Sequence, residues 1–156
     1  MSHTSDVLRL NNMRYLNFKL ASPRNAIELV ALGLNWDLHN FAEFTGLRFV
    51  PEASEVLKWV VSDVTNAWGD SNNHYRGCEL WFGQVQRFEI TCQKIKIPLS
   101  ENRTLAEISE LNQDESYYQK ASSGADRPSC LCIKFNGGLS LKVEAWEAEL
   151  RPLQEG

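Results

Sequence analysis

The chain has 156 residues, 43% hydrophobic and 23% charged, which describes one ordinary globular domain over 1–156 with a core large enough to need neither disulfides nor a structural metal. Sixteen Lys+Arg against 20 Asp+Glu give a net charge of −4, and the densest basic spot is only Lys94-Ile95-Lys96, so the balance argues against nucleic acid or an anionic membrane surface as partner. No stretch approaches the ~18 consecutive apolar residues of a membrane span, the opening residues lack a signal-peptide pattern, and Cys78, Cys92, Cys130 and Cys132 are therefore expected to be thiols in a cytoplasmic protein.

Residues 1–12 are polar with isolated leucines and read as a flexible tail or short edge strand. Leu16, Phe18 and Leu20 alternate with polar residues in the period of a half-buried strand. Ser22-Pro23 has the form of a helix start and Gly33 that of a helix end. The segment 23–32 is accordingly predicted as a short helix, although Ile27–Leu32 also fits a strand. Leu47-Arg48-Phe49, a Pro51 turn and Leu57-Lys58-Trp59 form a predicted hairpin, with Phe49 opposite Leu57 and Leu47 opposite Trp59.

Residues 66–77 read as a long polar loop carrying aromatics. Further strands are predicted through Leu80 and Phe82 and through Phe88, Ile90 and Cys92. Val85 falls out of phase between them, so a bulge is expected beside Gly83. Thr104-Leu105-Ala106-Glu107 fits a capping box, and Leu105, Ile108 and Leu111 at spacing three predict a second short helix. Residues 112–129 read as a long loop.

The last segment is a hairpin. A three-residue loop over Asn136-Gly137-Gly138 pairs Phe135 with Leu139, Ile133 with Leu141 and Leu131 with Val143, whereas a two-residue turn would mix faces. Gly138 is then expected at positive φ. After Ala145 the apolar phase shifts to Trp146, Ala148 and Leu150. The predicted architecture is mainly β: an antiparallel β-sandwich or partly open barrel with one or two short helices at an end.

The residues Asp37-Leu38-His39-Asn40-Phe41, Leu47-Arg48-Phe49, Leu57-Lys58-Trp59, the run Leu80–Ile90 and the run Ile133–Ala145 together resemble small, mainly β bacterial proteins of unknown function, some grouped with immunity proteins of polymorphic toxin systems. The resemblance implies a fold and protein binding. It implies no catalytic residues.

Chemistry-bearing constellations are sparse. Cys130-x-Cys132 has no second ligand pair, so a metal site is not expected, and no phosphate loop, nucleophile elbow, zinc-protease or calcium-loop motif points to a cofactor. Asp70, His74 and Cys78, spaced by four, could form a carboxylate-oriented Cys-His pair, the basis of an alternative reading as an enzyme. A small-molecule-binding barrel lined by some of the five tryptophans is a further alternative.

Trp68, Asp70, His74 and Tyr75 form a candidate binding loop of large amphipathic groups. Glu147 and Glu149 share one side of the last strand and could dock a basic partner, in keeping with six basic against ten acidic residues over 101–156. Trp81 should lie on the face opposite Leu80 and Phe82, where exposure would mark a partner patch. The expectation is a non-catalytic binding module for another protein, with self-association through an edge strand also open.

Overall fold

The computed structural model describes residues 13–51, 54–61, 68–69, 74–92, 99–111 and 128–154. Eleven strands follow one another among the described residues: β1 (Arg14–Tyr15), β2 (Phe18–Leu20), β3 (Glu28–Ala31), β4 (Leu34–Asp37), β5 (Ala42–Val50), β6 (Ser54–Val61), β7 (Trp68–Gly69), β8 (His74–Cys92), β9 (Leu105–Leu111), β10 (Cys130–Phe135) and β11 (Leu139–Gln154). They form an eight-stranded sheet ordered β5-β6-β8-β11-β10-β9, with β1 on β11 and β7 on β8, and a three-stranded sheet β2-β3-β4. All ladders are antiparallel except β1 on β11. Both sheets feed one core, which joins Leu29 and Trp36 of the small sheet to Trp59, Leu80, Ile133 and Leu141 of the large one. The protein is mainly β and sandwich-like. The large sheet curls enough for Phe44 of β5 to meet Phe135 of β10, with ring centroids 4.6 Å apart.

The closing hairpin has the predicted register. Leu131 faces Val143, Ile133 faces Leu141, and Gly138 takes a φ of 91° while its N–H donates to the Phe135 carbonyl at 3.1 Å. A bulge in β8 is present, but not beside Gly83, which pairs regularly with Glu147. Arg87 faces Glu144 but Val85 faces Ala145, so Gln86 is the extra residue. Opposite it the buried set of β11 changes from Leu141, Val143 and Ala145 to Ala148 and Leu150.

Neither predicted helix forms. Within 23–32, Asn25 has a φ of 56°, Ala26 bridges Ile108 of β9, and Glu28–Ala31 is a strand. Ser22 Oγ donates to the Arg24 carbonyl instead of capping free amides. Gly33 does supply positive φ (73°), but beside Leu32 (54°), as the second residue of a two-residue hairpin turn from β3 to β4. The other predicted helix is β9. Lys134 faces Glu107 while Phe135 faces Leu105, so Ala106 is a bulged residue. That one insertion puts Leu105 and Ile108 on the same side, and both are fully buried. A bulge thus produced the helical spacing of three.

The hairpin of β5 and β6 exists with a register two residues from the predicted one. Leu47 faces Leu57, Phe49 faces Glu55, and a bulge at Thr45 brings Phe44 opposite Trp59. Residues 1–12 and 112–127 of the predicted tail and long loop lie outside the described residues; Pro128 and Ser129 are buried, and Ser129 Oγ accepts from the Met13 N–H at 2.8 Å.

Candidate functional site

Strand alternation builds one face of the large sheet from the residues that point away from the core. Across β5, β6, β8 and β11 a row runs Arg48, Val56, Trp81, Glu149, and the next runs Gly46, Lys58, Glu79, Arg151. A third row joins Gly83 and Glu147 to Arg14 of β1. On the other side of the same strands, Leu57, Trp59, Cys78, Leu80, Phe82, Ala148 and Leu150 fill the core.

Trp81 is the centre of this face and is half-buried. The Arg151 guanidinium lies over its ring at 3.8 Å from the centroid, and the Arg48 guanidinium at 5.4 Å. The indole N–H donates to Glu79 Oε1 at 3.1 Å, while Arg48 donates to Glu79 Oε2 at 2.7 Å. Burial by itself would raise the Glu79 carboxyl, but the hydrogen bonds from Arg48 and Trp81 and the charges of Arg48 and Lys58 outweigh it and hold the group below the usual carboxylate range. Both oxygens of Glu79 are thus committed, and the indole plane is fixed. At the edge of the face Arg151 pairs with Glu149 at 3.3 Å and Arg14 with Glu147 at 3.2 Å.

Beside Trp81 a cleft of about 90 Å³ is lined by residues including Leu16, Ser54, Gly83, Glu147 and Arg151. At Gly83 a Cβ would stand 2.7 Å from Glu147 Oε1, so a larger residue there would displace the Glu147 side chain. A second shallow cleft of about 170 Å³ lies along Thr45–Arg48 and Lys58. Both fall below the several hundred Å³ of a typical metabolite pocket.

The described members of the predicted site fall in two places, the outer face of β11 and the hairpin of β7 and β8. Glu147 and Glu149 do share a face, but as members of ion pairs beside Arg14, Arg48, Lys58 and Arg151, so the expected acidic patch is a mixed one. Of the 66–77 loop, Trp68 and Gly69 pair with Tyr75 and His74 as a hairpin of β7 and β8. Tyr75 is half-buried with its ring 5.4 Å from that of core Trp36, and Asp70 lies outside the described residues. Cys78 is fully buried, and burial, with the nearby Glu79 charge, pushes its thiol far above the ordinary value, which leaves no thiolate for nucleophilic attack at neutral pH. No disulfide links the four cysteines, all of which are described, and no group of three or more metal-ligating side chains occurs among the described residues. No described helix is long and apolar enough to cross a membrane.

Trp81 was legible as an outward residue from its alternation with Leu80 and Phe82. Its partners were not, since Arg48, Glu79 and Arg151 come from three strands. Glu55, fully buried with neither carboxylate oxygen hydrogen-bonded among the described residues, gave no sequence signal at all. Compared with protein-family models, curated proteins and solved structures, the chain matches none.

Proposed function

We propose that the protein is a non-catalytic binding module that recognises another protein through the sheet face centred on Trp81. The observation that carries this reading is a half-exposed tryptophan held rigid on a β-sheet, its ring stacked by Arg151 and its N–H anchored on Glu79. Tryptophan and arginine are the side chains most enriched at interface hot spots, and a fixed indole loses little conformational freedom on binding. Polar groups with both charge signs ring the indole and supply a rim that is wet and geometrically selective. The resemblance to small mainly β proteins, some grouped with immunity proteins, implies protein binding as well.

The test is affinity capture from the native host with the purified protein as bait. Trp81→Ala and Glu147→Lys/Glu149→Lys should each lose a partner that wild type retains, while Trp68→Ala/Tyr75→Ala retains it. The same partners on every bait would sink the assignment of this face, and loss only in the Trp68/Tyr75 variant would move it to the hairpin of β7 and β8.

A further inference from the structure

A second surface, independent of the Trp81 reading, is the far half of β8. This strand pairs with β6 only over Gly77–Phe82, whereas β11 follows it to Cys92. From Gly83 onward the edge that turns away from β11 therefore carries no strand among the described residues. Exposure agrees: Gln86, Arg87, Ile90, Thr91 and Cys92 are all exposed, so solvent reaches both sides of the strand, and Ile90 is 53% exposed. Apolar surface continues beside it in Phe49, 66% exposed, whose ring meets that of Phe88 edge-on at 5.7 Å.

The two outer edges of the large sheet are blunted. Residues 23–26 cover β9, since the Ala26 N–H donates to the Ile108 carbonyl at 2.8 Å and the Glu110 N–H to the Pro23 carbonyl at 2.9 Å. The bulge at Thr45 interrupts β5. Past its own bulge at Gln86, by contrast, β8 runs regularly from Arg87 to Cys92 and contains neither proline nor lysine there. Backbone N–H and C=O groups along such an edge are a template for another strand.

The residues of this edge select a second copy of the chain as that strand. Facing residues of an antiparallel pair share a side of the sheet, so a two-fold axis that keeps core-side residues together must pass through one residue of β8. An axis at Arg87 sets two guanidinium groups face to face, one at Glu89 sets two carboxylates face to face, and one at Ile90 leaves Glu89 opposite Thr91. An axis at Phe88 sets Arg87 opposite Glu89 of the second copy, twice, and brings the two Phe88 side chains together on the other side of the ladder. Across the joined sheet the outward row then reads Glu144, Arg87, and Glu89 and Lys142 of the second copy, with acid and base alternating. Opposite charges directly across a ladder stabilise it, and like charges oppose it.

We infer that two copies of the chain join antiparallel through residues 86–90 of β8, about a two-fold axis at Phe88, into one continuous sheet. Phe88 and Ile90 of each copy lose water in the joint, and Arg87 and Glu89 fix its register. The contact is isologous, so the same edge serves both copies and the assembly closes at a dimer.

Sedimentation velocity on the full-length protein, from low-micromolar to millimolar concentration, should show monomer passing to dimer. Monomer at every concentration would overturn the inference. Glu89→Arg and Arg87→Glu should each weaken the dimer by about tenfold or more, because each sets like charges opposite one another, while an equimolar mixture of the two variants should recover it. Circular dichroism checks that each variant is folded. Undiminished self-association of either folded variant, or no recovery on mixing, would remove the register. A cross-linking test leaves both charges in place and uses Cys92→Ser as background. Phe88→Cys should give a disulfide-linked dimer under mild oxidation, since facing Cα atoms stand roughly 5 Å apart. Ile90→Cys should not, because its two copies lie about 14 Å apart along the ladder. Equal cross-linking at both positions would overturn the axis at Phe88.

Discussion

The Arg151 guanidinium lies over Trp81 at 3.8 Å from the ring centroid, and the two residues stand one row apart on neighbouring strands, since Glu149 faces Trp81 and Arg151 faces Glu79. The diagonal contact holds the indole on a face that is otherwise only partly covered. Because Arg151 remains 47% exposed, the stacking is worth about 0.5–1 kcal/mol. Arg151→Ala should lower unfolding free energy by about that amount, and Arg151→Lys should recover less than half of it because an ammonium does not stack. Urea unfolding of the three proteins checks this. An alanine variant as stable as wild type would show that the contact leaves the indole unheld.

Glu55 makes stability fall as pH rises. Its folded-state pKa of about 8 lies above the ordinary 4.5, so between those values the native state keeps a proton that the unfolded chain has released. The protein should then lose about 1.4 kcal/mol per pH unit inside that window through this group, with the full contribution present below it. Glu79 has the opposite sign: its lowered pKa stabilises the fold above the usual carboxylate range and is lost on acidification. Glu55→Gln should flatten the decline between pH 5 and 8, so stability measured across that range in both proteins is the decisive comparison.

Two glycines should respond differently to the same substitution. At Gly77 a Cβ would lie 2.1 Å from the Trp59 carbonyl oxygen, a backbone atom of the β6 to β8 ladder, so Gly77→Ala must push two strands apart. Gly138→Ala meets the cost of positive φ, about 1–2 kcal/mol. The expected order of melting temperatures is wild type, Gly138→Ala, then Gly77→Ala well below both.

The cysteines should separate into two classes. Cys92 is exposed, whereas Cys78, Cys130 and Cys132 are buried. A thiol-titrating reagent should modify one site quickly in the native protein and the remaining three only on unfolding, because reaction follows exposure and thiolate fraction. Fast native modification of Cys78, followed by mass spectrometry, would contradict its sealed position.

Much of the fold was readable because alternation and turn chemistry are local. Leu131, Ile133 and Phe135 against Leu139, Leu141 and Val143 allowed one face-consistent pairing, and only Gly138 suited the loop that made it. The same logic misread two segments. Leu105 and Ile108 stand three apart because Ala106 is bulged, and a bulge and a helical turn place apolar residues at the same interval. Ser22-Pro23 and Gly33 carry the conformations of helix ends, yet those conformations also suit a turn and a two-residue hairpin.

What sequence alone determined was the mainly β character, the register of the closing hairpin and the outward placement of Trp81, because each follows from residues within one or two strands. Only the tertiary structure decided which arginines cover Trp81, that Cys78 is sealed, and that Phe49 stands beside Glu55. A slip of two residues between β5 and β6 leaves every side chain on its original face, so hydrophobic patterning cannot choose between the two registers. The bulge at Thr45 and packing across the sheet made that choice, and in making it left an aromatic ring in solvent and a carboxyl in the core.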